Sequence, residues 1–261
     1  MSNVSVLMYH ALENAEHSAG AKNAGEQRYV LKYDLFSAQM EFLHREGYRG
    51  VLFEELLNMG EWPEKSVVLT FDDGHESDFV LALPVLQKYG FKAEFFITTD
   101  WIGTPHFMTV QQLKNLHGSG MGIGSHGMTH SFLDGMNSSE IEKELRESMN
   151  VLTRITGRKV VSFSAPGGRV RREVTDIAED IGYEFVCTSQ PGVLKRKESL
   201  LSIPRITVRA DTELEAFKAM VCGNKECIAK MAQRDKLLFF AKKVLGNKIY
   251  EQVRKILLRS M

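Results

Sequence analysis

Short runs of consecutive apolar residues recur along the chain as far as Val208, and most are apolar at every position rather than at alternate ones. Strands that are buried on both faces have this pattern, and such strands are typical of parallel sheets. We therefore predict seven strands, at Val4–Met8, Val67–Phe71, Ala93–Ile97, Gly120–Gly124, Val160–Phe163, Phe185–Thr188 and Ile203–Val208.

Segments with the periodicity of amphipathic helices separate these runs. Asp34 predicts the N-cap of a helix that reaches Glu46 and ends at Gly47. Alternating strands and helices indicate an α/β fold with a parallel sheet, either a closed β/α barrel or an open doubly wound sheet. No G-x-G-x-x-G follows the first strand, so a dinucleotide-binding open sheet loses support. The other predicted helices are Asp78–Tyr89, Thr109–Leu116 and Ser138–Thr156, and Glu13–Gln27 is predicted to be a polar loop.

The end of the chain differs from the rest in charge. Residues 218–261 contain eleven Lys and Arg residues and three acids, although the whole chain has 33 of each sign. Apolar residues recur there at helical spacing, so we predict a basic helical tail after a domain of residues 1–217. We favour helices packed on that domain with a solvated basic face. An amphipathic segment that contacts the inner face of a membrane, over residues 236–261, is the alternative.

Composition excludes several classes of protein. A formal net charge of zero gives no sign of nucleic-acid binding, and we expect no such partner. The three cysteines have neither the number nor the spacing of a disulfide framework or a zinc knuckle. No signal peptide precedes the first strand, and no apolar run reaches the ~18 residues of a membrane span. We therefore expect a cytoplasmic protein, peripheral to the inner membrane only if the tail binds lipid.

Two adjacent carboxylates, Asp72 and Asp73, follow the buried run Val67–Phe71 and precede Gly74. Paired acids at the carboxyl end of a parallel strand are costly unless a metal ion or a proton neutralises them. That end is also where β/α barrels place their active sites. A helix N-cap beside a surface aspartate is the purely structural alternative.

His126 and His130 also follow a predicted strand. Histidines four residues apart on one helical turn point the same way, so both imidazoles can bind one metal ion. Two histidines and one carboxylate leave coordination positions open for water and substrate, as a catalytic metal requires. The same ligand set describes a non-haem iron oxygenase, which stays open as an alternative.

A third element, Pro166-Gly167-Gly168-Arg169, follows Ser164 and Ala165. The Pro-Gly pair predicts a turn. Its glycines would let backbone amides approach a bound substrate closely, so we predict substrate binding by these four residues. Arg205, in the later segment Ile203-Pro204-Arg205-Ile206, is predicted to bind substrate as well.

In this order the three elements resemble the polysaccharide deacetylases of the NodB-homology type, the fourth carbohydrate esterase family. Thr70–Gly74 matches the motif T-F-D-D-G, and His126 and His130 match H-[ST]-x-x-H with Gly127 in the Ser/Thr place. The resemblance extends roughly from Val4 to Val208.

The third family motif, R-x-P-[aromatic]-G, is matched only in part. Pro166 and Gly168 are present, but Ser164 replaces the arginine and Gly167 replaces the aromatic residue. We predict that Arg169 or Arg205 substitutes for that arginine, which in the family orients the catalytic base.

The resemblance implies a distorted seven-stranded (β/α) barrel, TIM-barrel-like, with a helical C-terminal tail. It implies a hydrolase that removes N-acetyl or O-acetyl groups from a carbohydrate containing N-acetylhexosamine. Asp73, His126 and His130 would hold a divalent metal ion, usually zinc, with cobalt, nickel and iron as alternatives. Asp72 would deprotonate the attacking water.

Family members commonly carry a Leu-x-His motif whose histidine protonates the leaving amine, but no histidine follows His130 here. His10 ends the first predicted strand, and the pair Tyr9-His10 is similar to the exopolysaccharide branch of the family. We therefore predict His10 as the acid, with a hydrogen-bonded structural histidine as the alternative. Two further functions remain open, a metal-free sugar-binding relative and a hydrolase of a small non-sugar amide.

Overall fold

A computed structural model of the chain describes residues 3–234 and 236–237. Its centre is a parallel sheet with strand order β10-β1-β5-β6-β7-β8-β9, and β4 pairs with β5 beside this path. Two short strands, β2 and β3, form a separate parallel pair. The strands are β1 Ser5–Tyr9, β2 Leu12–Glu13, β3 Leu31–Lys32, β4 Arg49–Gly50, β5 Ser66–Phe71, β6 Ala93–Ile97, β7 Gly122–Ser125, β8 Ser162–Ser164, β9 Phe185–Cys187 and β10 Ile206–Thr207.

The sheet curls until its two edges approach each other. Cys187, in the edge strand β9, forms a parallel bridge with Ile203, which lies just before the opposite edge strand β10. The amide of Ile203 donates to the carbonyl of Val186 at 2.8 Å, and its carbonyl accepts from Thr188 at 2.9 Å. The seven predicted runs fall on the seven strands of this path. The prediction of a distorted barrel is therefore confirmed, and the open doubly wound sheet is rejected.

Helices cover the outside of the sheet, and their observed bounds correct two predictions. Helix α2 begins at Tyr33 with Lys32 as its N-cap, so Asp34 lies in the first turn and is not the cap. The predicted helix Asp78–Tyr89 opens with a π-helical turn at Asp78–Ala82 before α4. The helices are α1 Ala24–Gln27, α2 Tyr33–Arg45, α3 Phe53–Asn58, α4 Leu83–Tyr89, α5 Val110–Gly118, α6 Ser138–Thr156, α7 Arg172–Ile181 and α8 Leu214–Val221.

Capping residues in the sequence account for the two ends of α6 and for the start of α1. Asn137 caps α6 by accepting the amide of Glu140 at 3.0 Å, and Gly157 ends that helix in the left-handed region at φ 71°. The predicted polar loop Glu13–Gln27 was wrong in part, because the side chain of Asn23 caps the one-turn helix α1 within it.

Strand alternation positions the first functional side chains. Tyr9 and Phe71 are paired in register and stack with their ring centroids 5.2 Å apart, in the core between sheet and helices. Successive side chains of a strand point to opposite faces. The next residues along the two strands, His10 and Asp72, therefore face the barrel interior side by side.

The first part of the basic tail packs against the barrel. Phe217, Met220 and Met231 are buried in the main core, and α8 crosses the predicted domain boundary between residues 217 and 218. Residues 238–261, with most of the predicted membrane-contacting segment, lie outside the described part of the chain. The division into barrel and tail stays a prediction. None of the helices within residues 3–234 and 236–237 is long and apolar enough to cross a membrane.

An acid is buried within the sheet. Glu94, in β6, is 4% exposed and accepts the amide of Phe53 at 3.1 Å. Burial raises its pKa from 4.5 to about 7, and the Phe53 hydrogen bond offsets only part of that effect. A carboxyl with a raised pKa costs no stability below pH 4.5, where it is protonated in both the folded and the unfolded state. The full cost is present above pH 7.

We predict that Glu94→Gln leaves the free energy of unfolding unchanged near pH 4.5 and raises it by about 3 kcal/mol above pH 8. The neutral amide still accepts the Phe53 hydrogen bond and is never ionised. Denaturant unfolding from pH 4.5 to 9 measures the difference. Glu147→Gln, at an exposed position on α6, is the control and should show no such trend. A pH-independent difference for Glu94→Gln would contradict the raised pKa.

Candidate active site

The carboxyl ends of four strands bring the predicted functional residues together. His10 follows β1, Asp72 and Asp73 follow β5, and His126 follows β7. The turn that begins at Pro166 follows β8. Because parallel strands present their carboxyl ends at the same rim of a barrel, these side chains share one site.

Asp73, His126 and His130 form a cluster in which one ligand-type atom of each residue lies within 4.8 Å of the others. Asp73 Oδ1 lies 3.4 Å from Nε2 of His126 and 3.2 Å from Nε2 of His130. Asp73 adopts φ 80° and His130 φ 62°, left-handed conformations that cost energy in residues with a side chain. The fold therefore keeps a strained backbone at two of the three ligand-type residues that converge here.

The tautomer of His126 shows that the cluster suits a cation. Its Nδ1 lies 2.7 Å from the carbonyl oxygen of Ser164, and a carbonyl can only accept, so Nδ1 carries the hydrogen. Nε2, the other ring nitrogen, is then the atom that faces Asp73 Oδ1 and that a neutral ring would offer to a cation. That oxygen is buried and has no hydrogen bond of good geometry within the described residues. A nitrogen-rich set of this kind with open positions fits zinc and related divalent ions.

The helical turn predicted for His126 and His130 was wrong, because residues 126–130 form a loop. Glu144, a buried residue of α6, holds that loop by three hydrogen bonds. Its carboxylate accepts the amide of Met128 at 2.7 Å, and the amide and hydroxyl of Thr129 at 3.0 and 2.7 Å. The two histidines meet through this anchored loop and not through helical spacing.

Asp72 is held by a bidentate ion pair with Arg205. Nη1 and Nη2 of Arg205 donate to Oδ1 and Oδ2 of Asp72, each at 2.7 Å, and the two side chains are 0% and 4% exposed. The remaining donors bind Thr188 O at 2.9 Å, Thr70 Oγ1 at 3.1 Å and Ser164 Oγ at 2.8 Å. All five N–H groups of the guanidinium are thus used. Arg205 orients Asp72 from inside the protein, and because its side chain is fully buried it cannot contact a substrate.

The serine in place of the motif arginine takes part in the same network. Ser164 Oγ donates to Asp72 Oδ2 at 3.1 Å while it accepts from Arg205. Arg169, the other predicted substitute, lies elsewhere and contacts Asp134 at 3.3 Å. Of the two arginines, the structure therefore brings only Arg205 to Asp72.

The two carboxylates are both favoured in their charged forms. Burial raises the pKa of Asp72. The charges of Arg205 and His126 lower it by more than burial raises it, so the pKa lies below its usual value. Burial also raises the pKa of Asp73, but the neighbouring imidazoles of His126, His130 and His75 outweigh burial and keep that pKa well below its usual value. The site therefore presents two ionised acids.

His10 packs against Tyr29 with ring centroids 4.7 Å apart. Its Nδ1 is buried without a hydrogen-bond partner among the described residues. Burial lowers the pKa of His10, while the charges of Asp73 and Asp72 act in the opposite direction. The resting ring is therefore neutral at pH 7.

His75, to which the sequence assigned no role, lies with Nε2 3.5 Å from Asp73 Oδ2.

Asp78 is an acidic neighbour that sequence reasoning missed. It lies in the π-helical turn, is fully buried, and neither carboxyl oxygen has a hydrogen-bond partner in the part of the chain that the structure describes. Burial raises its pKa well above the usual value, and the charges of Asp73 and Asp72 raise it further. Burial thus favours the neutral form of Asp78, beside two acids whose charged forms are favoured. A π-turn, often found at functional sites, has no signal in the helical periodicity.

Within the turn Pro166–Gly168, the amide of Gly167 is the candidate donor to a substrate. Pro166 has no amide hydrogen, and the amide of Gly168 donates to Ala165 O at 2.7 Å. Gly167, at φ 66°, remains as the donor that could face a substrate. A Cβ at Gly167 would lie 2.7 Å from the ring of Phe132, which fills the space beside the glycine.

The fold and the site together define a β/α barrel with a cluster of three metal-ligand-type side chains and a second, arginine-held carboxylate at one rim. A sequence profile of the family described as polysaccharide deacetylase matches residues 60–186. YxkH of Bacillus subtilis (strain 168) is 31% identical over 220 residues, which cover 83% of this chain and 75% of that protein. The chain therefore belongs to the polysaccharide deacetylase family.

Two further comparisons agree. A poly-β-1,6-N-acetyl-D-glucosamine N-deacetylase of Staphylococcus epidermidis is 24% identical over 204 residues, 71% of this chain and 69% of that protein. The structure of the Streptococcus pyogenes deacetylase PplD in complex with acetate is similar with a TM-score of 0.75 at 26% identity, covering 84% of this chain and 98% of that one. The predicted enzyme class, a carbohydrate deacetylase, is confirmed, and the oxygenase alternative is set aside.

Proposed function

We propose that the protein is a metal-dependent hydrolase that removes N-acetyl groups from a polysaccharide containing N-acetylhexosamine. The observation that carries the proposal is the ionised Asp72, held by Arg205 beside the cluster of Asp73, His126 and His130. The named activity of the Staphylococcus epidermidis relative supports the choice of sugar. The acetate bound to PplD supports the choice of acetyl as the group that is removed.

Asp73, His126 and His130 would hold a divalent ion, most readily zinc given the two imidazoles and one carboxylate. Bound there, the ion would polarise the acetyl carbonyl and lower the pKa of bound water towards ~7. The Ser164 carbonyl keeps the hydrogen on Nδ1 of His126 and leaves its Nε2 free for the ion.

Asp72 is the group that accepts the proton of the attacking water. Both oxygens face the guanidinium of Arg205, which keeps the carboxylate charged and fixes its orientation. Each oxygen has a second lone pair, and Oδ1 accepts only from Arg205 among the described contacts. Oδ1 therefore has capacity left to take a proton.

His10 is the proposed donor to the leaving amine. It faces the barrel interior next to Asp72, and the charges of Asp73 and Asp72 favour its protonated form. Because burial keeps the resting ring neutral, His10 must receive its proton within the site during turnover. The amide of Gly167 is the backbone donor proposed for the oxygen of the acetyl carbonyl, where negative charge develops.

The proposal predicts that purified protein releases acetate from N-acetylglucosamine oligomers and that a chelator abolishes this activity. Added zinc should restore it. His130→Ala should lose both the metal and the activity, whereas His17→Ala, at an exposed position, should keep both. Acetate assays combined with metal analysis measure these outcomes. Full activity after complete removal of metal would contradict the proposal.

A second prediction concerns His10 as the proton donor to the leaving amine. His10→Ala should slow acetate release from an N-acetyl sugar by ~10²–10⁴-fold, because an amine leaves poorly unless it is protonated. An activated aryl acetate should be hydrolysed at nearly the wild-type rate, because its leaving group needs no proton. His75→Ala is the matched comparison at the rim. Equal losses on both substrates in His10→Ala would make His10 a structural residue.

A further inference from the structure

Phe132 is a large aromatic residue that is about half exposed at the rim of the site. Its side chain is 47% exposed, although it follows the metal-ligand candidate His130 by only two residues. Single exposed apolar residues are common on protein surfaces and need no explanation by themselves. The surroundings of this ring are what set it apart.

Two groups from the turn after β8 fix the position of the Phe132 ring. The guanidinium carbon of Arg169 lies 4.3 Å from the ring centroid and so covers one face. A Cβ at Gly167 would lie 2.7, 3.1 and 3.7 Å from three successive ring atoms, which places the glycine at one edge. The exposed area of Phe132 therefore belongs to the parts of the ring that Arg169 and Gly167 do not cover. Arg169 is itself held by Asp134 at 3.3 Å.

The loop that carries Phe132 is also held in place. Glu144 anchors Met128 and Thr129, and the hydroxyl of Thr129, which donates to Glu144, accepts from the hydroxyl of Ser131 at 2.8 Å. An aromatic surface that is ordered before binding loses little entropy when a ligand packs on it.

The ring borders the catalytic groups on two sides. Its own loop carries His130, which packs against Trp101 with ring centroids 4.8 Å apart. The turn beneath it contains Gly167, the proposed amide donor, and follows Ser164, which binds both His126 and Asp72. A ligand on Phe132 therefore lies next to a group that reacts at the metal cluster.

We propose that Phe132, which lies half exposed beside Gly167, is a sugar-binding platform on which a pyranose ring neighbouring the deacetylated residue packs its apolar C–H face. This inference rests on the proposed function, since it concerns the carbohydrate chain on which the enzyme acts. A rigid aromatic side chain with one open face and a polar surround suits such a ring. The enzyme accordingly prefers oligosaccharides that extend beyond the reacting residue.

The test compares kcat/KM for acetate release from N-acetylglucosamine oligomers of one to six residues. Phe132→Ala should lower kcat/KM for the longer oligomers by about three- to ten-fold, the loss expected for one aromatic contact. The monosaccharide should be affected least, and the loss should appear in KM rather than in kcat. Phe132→Tyr, which keeps the ring, should retain the preference for long oligomers.

Leu57→Ala is the matched control, because Leu57 is also an exposed apolar residue, 52% exposed, but lies on helix α3. It should leave the length preference unchanged. An active Phe132→Ala enzyme with the wild-type length preference would overturn the platform and leave the proposed function standing. A wild-type enzyme that neither binds nor deacetylates any oligomer would instead overturn the proposed function, and the platform with it.

Discussion

The buried ion pair between Asp72 and Arg205 is the interaction on which the rest of the site depends. Its guanidinium bonds to groups from β5, from β8 and from the residue after β9, and so ties together the strands where the barrel closes irregularly. Removing one partner of such a pair leaves an uncompensated buried charge, which typically costs about 3–5 kcal/mol. Closure of the barrel and orientation of the base are therefore achieved by the same contacts.

This arrangement explains how the chain keeps a catalytic site although its third motif is incomplete. Ser164 is too short to pair with Asp72 as an arginine would, but its hydroxyl relays between Asp72 and Arg205. Gly167 lacks the aromatic side chain of the motif, and the ring of Phe132 lies in the space beside it. Functions that the motif combines in one turn are thus distributed between the strand ends and the loop of the histidines.

The sequence predicted what depends on local pattern. Continuous apolar runs located the seven strands of the barrel, and the helix predicted at Ser138–Thr156 has the observed bounds of α6. Asp73 with the two histidines was predicted as a cluster, but the geometry comes from a loop held by Glu144 and not from a helical turn. Arg205 was one of two arginines that the sequence could not distinguish, because its partner Asp72 lies 133 positions away. Contacts of that separation leave no trace in periodicity or spacing.

The central claim is that Asp72 takes the proton of the attacking water while other residues hold the metal. The most direct measurement is the metal content and turnover of Asp72→Asn, beside the exposed-site control Asp211→Asn. The account predicts that Asp72→Asn keeps the wild-type metal content and loses ~10²–10⁴-fold in kcat, because the amide cannot accept a proton. A variant that keeps its metal and turns over N-acetylated oligosaccharide at nearly the wild-type rate would show that the base is another group.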